Sequence, residues 1–199
     1  MTFDIRPYHP TDLTAVYRIC LLTGDSGSDG SHLYSDPDLL GHYFAAPYAV
    51  LEPELAFILT HHGKPCGYVL GVADTATFGK RCEQAWFPPL RHHYDLPDET
   101  DTSRDAWMIR SIHRGHDQVN PLPDYPAHLH IDLLPEGQGQ GWGRKMIERL
   151  LSQMEALQVP GVHLGVGNKN SGAIGFYEHM GFHRLKEHET YTVYGMKLR

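Results

Sequence analysis

The residues with the clearest capacity for chemistry lie between Leu134 and Arg144, where Gly137, Gly139, Gly141 and Gly143 alternate with Gln138, Gln140 and Trp142. Ahead of them, His128 to Leu134 (HLHIDLL) has the length and alternation of a strand. Behind them, from Gly141, the residues Trp142, Met146, Ile147, Leu150, Leu151 and Met154 recur at helical spacing, with Arg144, Lys145, Arg149 and Glu155 on the other side. A strand, a turn whose backbone can approach a ligand, and a helix N-terminus together make an anion site, because unpaired N–H groups and the positive end of the helix dipole converge there. Phosphate is the expected guest.

Glycine register narrows the choice of phosphate ligand. A Walker loop needs Gly-Lys followed by Ser or Thr, and Gly143 is followed by Arg144, Lys145 and Met146. The dinucleotide fingerprint G-x-G-x-x-G would end at Trp142 or at Arg144, neither of which is glycine. Both readings fail. Metal chemistry draws little more support from the fifteen histidines. His61-His62 and His92-His93 are adjacent, so their side chains diverge; His113 and His116 could share a helix face, and His128 and His130 share a strand face. No Cys or carboxylate joins them at a zinc spacing, and the expectation is no metal. Neither Cys66 nor Cys82 lies in a nucleophile context.

The stretch Gln138-Gly139-Gln140-Gly141-Trp142-Gly143, with Pro135 ahead of it, resembles the (Q/R)-x-x-G-x-(G/A) signature of the GNAT superfamily of N-acetyltransferases. Downstream, Asn170 to Phe182 (NSGAIGFYEHMGF) resembles that superfamily's N-x-x-A-x-x-(F/L)-Y-x-x-x-G-F segment in register throughout. Ile5-Arg6-Pro7-Tyr8, Ala15 to Cys20 and Thr23-Gly24-Asp25 are similar to one branch, the acetyltransferase-like C-terminal domain of O-GlcNAcase and its free-standing bacterial relatives.

The resemblance implies an acetyl-CoA-dependent N-acetyltransferase that moves the acetyl group directly to an amine of a small molecule or peptide. Backbone N–H groups of Gly139, Gln140, Gly141, Trp142, Gly143 and Arg144, with Gln138, would hold the pyrophosphate. The pantetheine arm would pair like an extra strand with Ile131 to Leu133, Asn170 would touch it from the far side, and a backbone N–H near Leu133 would face the thioester oxygen. Tyr177 takes the general-acid position; a phenol of pKa about 10 is protonated at neutral pH and can reprotonate a thiolate whose acid lies at about 8.5. His128, His130 and Asp132 share one face of their strand, but counted back from Gln138 it is the parity opposite to the usual base, so no base is named. The alternative is a non-catalytic acyl-CoA-binding or interaction module on the same fold.

The elements that must position these residues follow from pattern. Phe3 and Ile5 mark a strand, Asp12 to Leu22 a helix with Leu13, Val16, Tyr17 and Cys20 on one face, and 25–31 a flexible acidic loop before a short helix at about Pro37 to Phe44. Leu55 to Leu59 and Cys66 to Val72 read as a hairpin through Gly63. Residues 74–127 form an insertion: a helix from Thr75 to Phe87 interrupted by Pro88-Pro89, the acidic run Asp95 to Asp101, and a helix opened by Thr102 with Asp105 three residues on. Its expected role is either a wall over the acceptor pocket, with Asp98, Glu99 or Asp101 drawing an amine, or a packing or homodimer-forming appendage. Gly161 to Gly167 is a strand, Asn170 to Met180 a helix, and Phe182 to Arg199 a closing hairpin. The fold class is α/β (α+β) in one 199-residue domain. By resemblance it is a mixed, mostly antiparallel twisted sheet flanked by helices, with the helical insertion between the third and fourth strands. A formal charge of −7, with no basic run, argues against nucleic acid. Three scattered cysteines, a polar N-terminus and no apolar run near the roughly 18 residues of a membrane span lead to the expectation of a cytoplasmic protein that does not enter membranes.

Overall fold

The computed structural model describes residues 2–116 and 122–198. Seven strands form one sheet in the order β1-β2-β3-β4-β5-β7-β6: β1 Phe3–Pro7, β2 Ala56–His61, β3 Lys64–Val72, β4 Ala127–Leu133, β5 Gly161–Gly167, β6 His183–Glu187 and β7 Tyr191–Lys197. Every neighbouring pair is antiparallel except β4 with β5. The helices are α1 Leu13–Leu22, α2 Leu39–Phe44, α3 Ala46–Leu51, α4 Thr75–Arg81, α5 Phe87–His93, α6 Arg104–Arg114, α7 Trp142–Ala156 and α8 Ser171–His179. The expected mixed sheet with helices between its third and fourth strands is therefore the architecture found. Residues 117–121 of the 74–127 insertion lie outside the described residues.

The apolar stripe of α7, Met146, Ile147, Leu150, Leu151 and Met154, is buried on the sheet, as its spacing requires. Gly71 of β3 makes the close seating possible: a Cβ there would lie 2.7 Å from Met154 Cε and 2.9 Å from Leu150 Cδ1. Val16, Ile19 and Cys20 of α1 are buried in the same core.

Three local readings are corrected by the structure. Pro88 and Pro89 do not break the insertion's first helix into a loop; they fall in the first turn of α5, and a π turn, Cys82–Trp86, joins it to α4. In a first turn the N–H that proline lacks has no intrahelical bond to make. Ser103, not Thr102, caps α6, accepting from the N–H of Ala106 at 3.1 Å. Asp105 instead reaches back to the loop before α2 and accepts from Ser35 N–H at 3.1 Å and Asp36 N–H at 3.3 Å. Lastly, the loop after α1 is a closed turn: Asp25 and Ser28 exchange backbone hydrogen bonds of 3.0 Å, and Ser26 and Gly27 at the tip have φ of 53° and 91°, the signature of a type I′ turn.

The insertion packs as a second layer over α2 and α3. Phe78, Phe87, Met108 and Ile112 are buried there with Tyr48 of α3. Its acidic run is turned in on itself: Asp98 accepts from Thr100 N–H and Oγ1–H, Asp101 from Ser103 N–H, and Arg110 donates to the carbonyls of both aspartates. Asp105→Ala should thus cost about 1 kcal/mol in urea denaturation, the scale of a few imperfect hydrogen bonds, while acetyl-CoA affinity stays at the parent value. A loss of affinity would show that α6 supports the cleft described next.

Candidate functional site

β4 and β5 are hydrogen-bonded neighbours at Ala127–Val162 and His128–His163, and then they part. Beyond that point β5 stays paired with β7 to Gly167, and β4 stays paired with β3 to Leu133, so a gap opens in the sheet. Backbone alternation fixes what faces it. Leu134 N–H donates to Cys66 O on the β3 side at 2.8 Å; the N–H and C=O of Leu133 and Ile131 therefore point the other way, across the gap. The cleft at the gap has a volume of about 740 Å³.

At its mouth lies the glycine turn. Gly139 (φ 70°) and Gly141 (φ 79°) are left-handed, and a Cβ at either would meet nothing within 4 Å. Gly141 is the N-cap of α7 and offers no side-chain cap. Among the described residues no acceptor is present for the backbone N–H groups of 139–144, so a helix N-terminus with its orphan donors opens onto the cleft. This arrangement fits a pyrophosphate. Gln138 Nε2 donates to Leu133 O at 2.7 Å and ties the turn to the end of β4.

Of the residues singled out by sequence, Ile131, Leu133, Gln138, Gly139, Gly141, Gly143, Arg144, Asn170 and Tyr177 all border this cleft. Gln140 and Trp142 do not. The Gln140 amide folds back to Glu136 O at 2.9 Å, and the Trp142 indole packs against Phe3 at 5.1 Å under the Lys145 ammonium at 4.0 Å; what they can offer a ligand is backbone N–H. Asn170 caps α8, its Oδ1 accepting from Ala173 N–H at 3.0 Å, which leaves its amide N–H groups available.

Asp132 and His130 also line the cleft, although the parity count from Gln138 places them on the face opposite to the usual base. The β3–β4 register runs unbroken from Val72–His128 to Gly67–Leu133, so no bulge turns them. They reach the cleft because β4 borders the gap with its free edge, and side chains of both faces flank an opening that passes through the sheet. Tyr68 of β3, fully buried, donates to Asp132 Oδ2 at 2.5 Å. Burial raises the Asp132 carboxyl to about 6 despite that hydrogen bond. Across the gap, burial and then the charge of Asp132 push the Tyr177 phenol above its ordinary value. The two groups feel each other.

Thr23, Ser26 and Gly27, from the turn after α1, complete the rim. The resemblance implies that the loop after α1 borders the acceptor site, but sequence reading gave it no fixed shape; Ser-Gly at a two-residue tip was the available signal. No described residue of the insertion borders the cleft, and Asp98, Glu99 and Asp101 are not part of it. Among the described residues no group of three His, Cys, Asp or Glu could hold a metal ion, and no helix is long and apolar enough to cross a membrane.

Residues 29–182 match the Acetyltransferase (GNAT) family. The structure superposes on that of SsHAT with a TM-score of 0.94, at 39% identity and with 100% of both chains covered. Protein O-GlcNAcase of Rattus norvegicus is 27% identical over 190 residues, 94% of this chain; the chain spans 21% of that protein's length. The fold is shared with yncA of Salmonella typhimurium, solved with its cofactor acetyl-CoA (TM-score 0.57, 15% identity, 100% of this chain and 95% of that one).

Proposed function

The chain belongs to the GNAT acetyltransferase family, and on that premise we propose that it moves an acetyl group from acetyl-CoA directly to an amine. The observation that carries this reading is the meeting of Asp132 and Tyr177 at one gap whose mouth is a glycine turn with free N–H groups. A carboxylate that can take a proton faces a phenol that can give one.

Bound acetyl-CoA supplies an activated acyl group with a thiolate leaving group. The N–H groups of 139–144 hold the pyrophosphate, with Arg144 beside them. The backbone edge at Ile131, with Leu133 N–H beside it while Leu133 O is held by Gln138, takes the pantetheine arm as a strand would be taken, and Asn170 closes on it from α8. Leu133 N–H is the donor that polarises the thioester carbonyl; one such donor contributes on the order of a hundredfold in rate. Asp132 removes a proton from the incoming ammonium. Tyr177 protonates the departing sulfur. Two protons leave the ammonium on the way to the amide and one ends on the thiol, so one is released to water. The two groups are coupled: while Asp132 is ionised it resists ionisation of Tyr177, and once Asp132 carries the amine's proton that resistance is gone.

The acceptor class is a primary amine carried by a small molecule or a peptide. An ammonium is drawn to Asp132, and the negative formal charge of the chain adds to that attraction. Calorimetric titration with acetyl-CoA, followed by CoA-release assays over a panel of amines, tests the reading. Micromolar binding with turnover supports it; binding without turnover on any amine would make the chain an acyl-CoA-binding module, and no binding by folded protein would remove the cofactor site. Tyr177→Phe should lower kcat by roughly a hundredfold with acetyl-CoA affinity nearly unchanged. An unaffected rate would take Tyr177 out of the mechanism.

A further inference from the structure

Next to Asp132 on the cleft wall lies His130, and behind it runs a chain of hydrogen bonds that the reaction above does not use. Thr75 Oγ1, at the start of α4, is 2.7 Å from Pro126 O and 2.7 Å from His128 Nδ1. Tyr48 Oη is 2.8 Å from His128 Nε2 and 3.2 Å from His130 Nε2.

Proton counting gives this chain a direction. A hydroxyl and a carbonyl oxygen at 2.7 Å need a proton between them, so Thr75 donates to Pro126 O and its oxygen accepts from His128 Nδ1–H. Burial lowers both histidines, His130 to about 4 and His128 well below its ordinary value, so both rings are neutral at pH 7. With its proton on Nδ1, His128 has a bare Nε2, which accepts from Tyr48 O–H. The Tyr48 hydroxyl, its proton spent, accepts from His130 Nε2–H. His130 is left with a bare Nδ1, for which no hydrogen-bond partner is present among the described residues. Each link forces the next.

We propose that Tyr48 is a positioning residue that sets the tautomer of His130, so that His130 Nδ1 accepts a hydrogen bond from the acceptor amine and holds it beside Asp132. The proposal rests on the transferase reading for the amine, and for the tautomer on the hydrogen-bond geometry together with the burial that keeps both rings neutral. It also gives the insertion a part in the site without contact: α4 supplies Thr75, whose bond to Pro126 starts the chain.

The test has two arms. Long-range ¹H–¹⁵N correlation on the histidine-labelled parent protein with CoA at pH 7 reads each tautomer directly. The expected result is Nδ1–H for His128 and Nε2–H for His130, with the His130 pattern averaged in Tyr48→Phe; a parent His130 that is protonated on Nδ1 overturns the proposal. The second arm uses the amine turned over fastest in the panel. His130→Asn keeps a polar group where Nδ1 stands and His130→Gln keeps one where Nε2 stands. Asn should retain the parent KM for the amine, while Gln should raise it by roughly tenfold, the scale of one lost hydrogen bond. A Gln variant with the parent KM, or an Asn variant no better than the Gln one, overturns the proposal. A parent protein that turns over none of the amines sinks the transferase reading and the acceptor role with it, and the tautomer arm tells that failure from a wrong assignment of the chain.

Discussion

Asp132→Asn should lower kcat/KM for the amine by roughly 10²- to 10⁴-fold, the usual contribution of a positioned general base, with acetyl-CoA affinity little changed. The pH dependence makes the assignment specific. A base works ionised, and Asp132 is held at about 6, so kcat/KM of the parent should rise as pH passes through that value, beneath any further rise from ionisation of the amine itself. In the Asn variant the limb near 6 should vanish. A variant that keeps both its rate and that limb would exclude Asp132 as the base.

The same carboxyl carries a stability signature of opposite sign to that of a surface ion pair. Its folded pKa is raised above the unfolded value of about 3.9, so between about 4 and 6 the unfolded chain binds fewer protons than the folded one, and stability falls as pH rises through that window. Above it the cost is constant, at most about 3 kcal/mol on the shift to about 6. Asn pays none of it. Urea denaturation at pH 4 and pH 8 should find the variant gaining on the parent at the higher pH, so it should be slower as a catalyst and no less stable. A destabilised variant at pH 8 would mean that the Tyr68 bond to Asp132 matters more to folding than the buried charge costs.

What could be read from sequence divides by distance along the chain. The glycine turn with α7, and Asn170 with α8, are local signals, and local backbone chemistry delivers them: Asn170 is an N-cap, and Gly139 and Gly141 are left-handed. The strands came from alternation and burial. The gap is different: the resemblance implies that the strand before Gln138 and the one at Val162 splay apart, but no stretch of residues announces it, because β4 and β5 part through the pairing choices of four strands. Asp132 was therefore seen but set aside: strand parity decides which face a side chain takes, but where the sheet is open side chains of both faces reach the opening. Its partner Tyr68 lies 64 positions away and carries no sequence mark. Of the two roles left open for the insertion, the wall that draws an amine fails on placement, since Asp98, Glu99 and Asp101 are not part of the cleft, and the packing of its helices over α2 and α3 is what the structure has.

Gly141→Glu should raise the Kd for acetyl-CoA by roughly a hundredfold or more, about 3 kcal/mol. Two effects combine. With φ at 79°, Gly141 holds a conformation that costs a side-chain-bearing residue roughly 1–2 kcal/mol, and the strain falls on the turn that aims the N–H groups of 139–144. The new side chain also finds open space, since a Cβ at Gly141 has no neighbour within 4 Å. Gly141 borders the cleft, so an added carboxylate there stands against the pyrophosphate. Gly141→Asn separates the two: Asn tolerates the left-handed region and adds no charge, so it should lose far less affinity. Calorimetry on both variants, with circular dichroism to show that each is folded, reads the difference. Parent-like affinity in the Glu variant would move the pyrophosphate away from this turn, and equal losses in both would assign the effect to backbone strain rather than to charge.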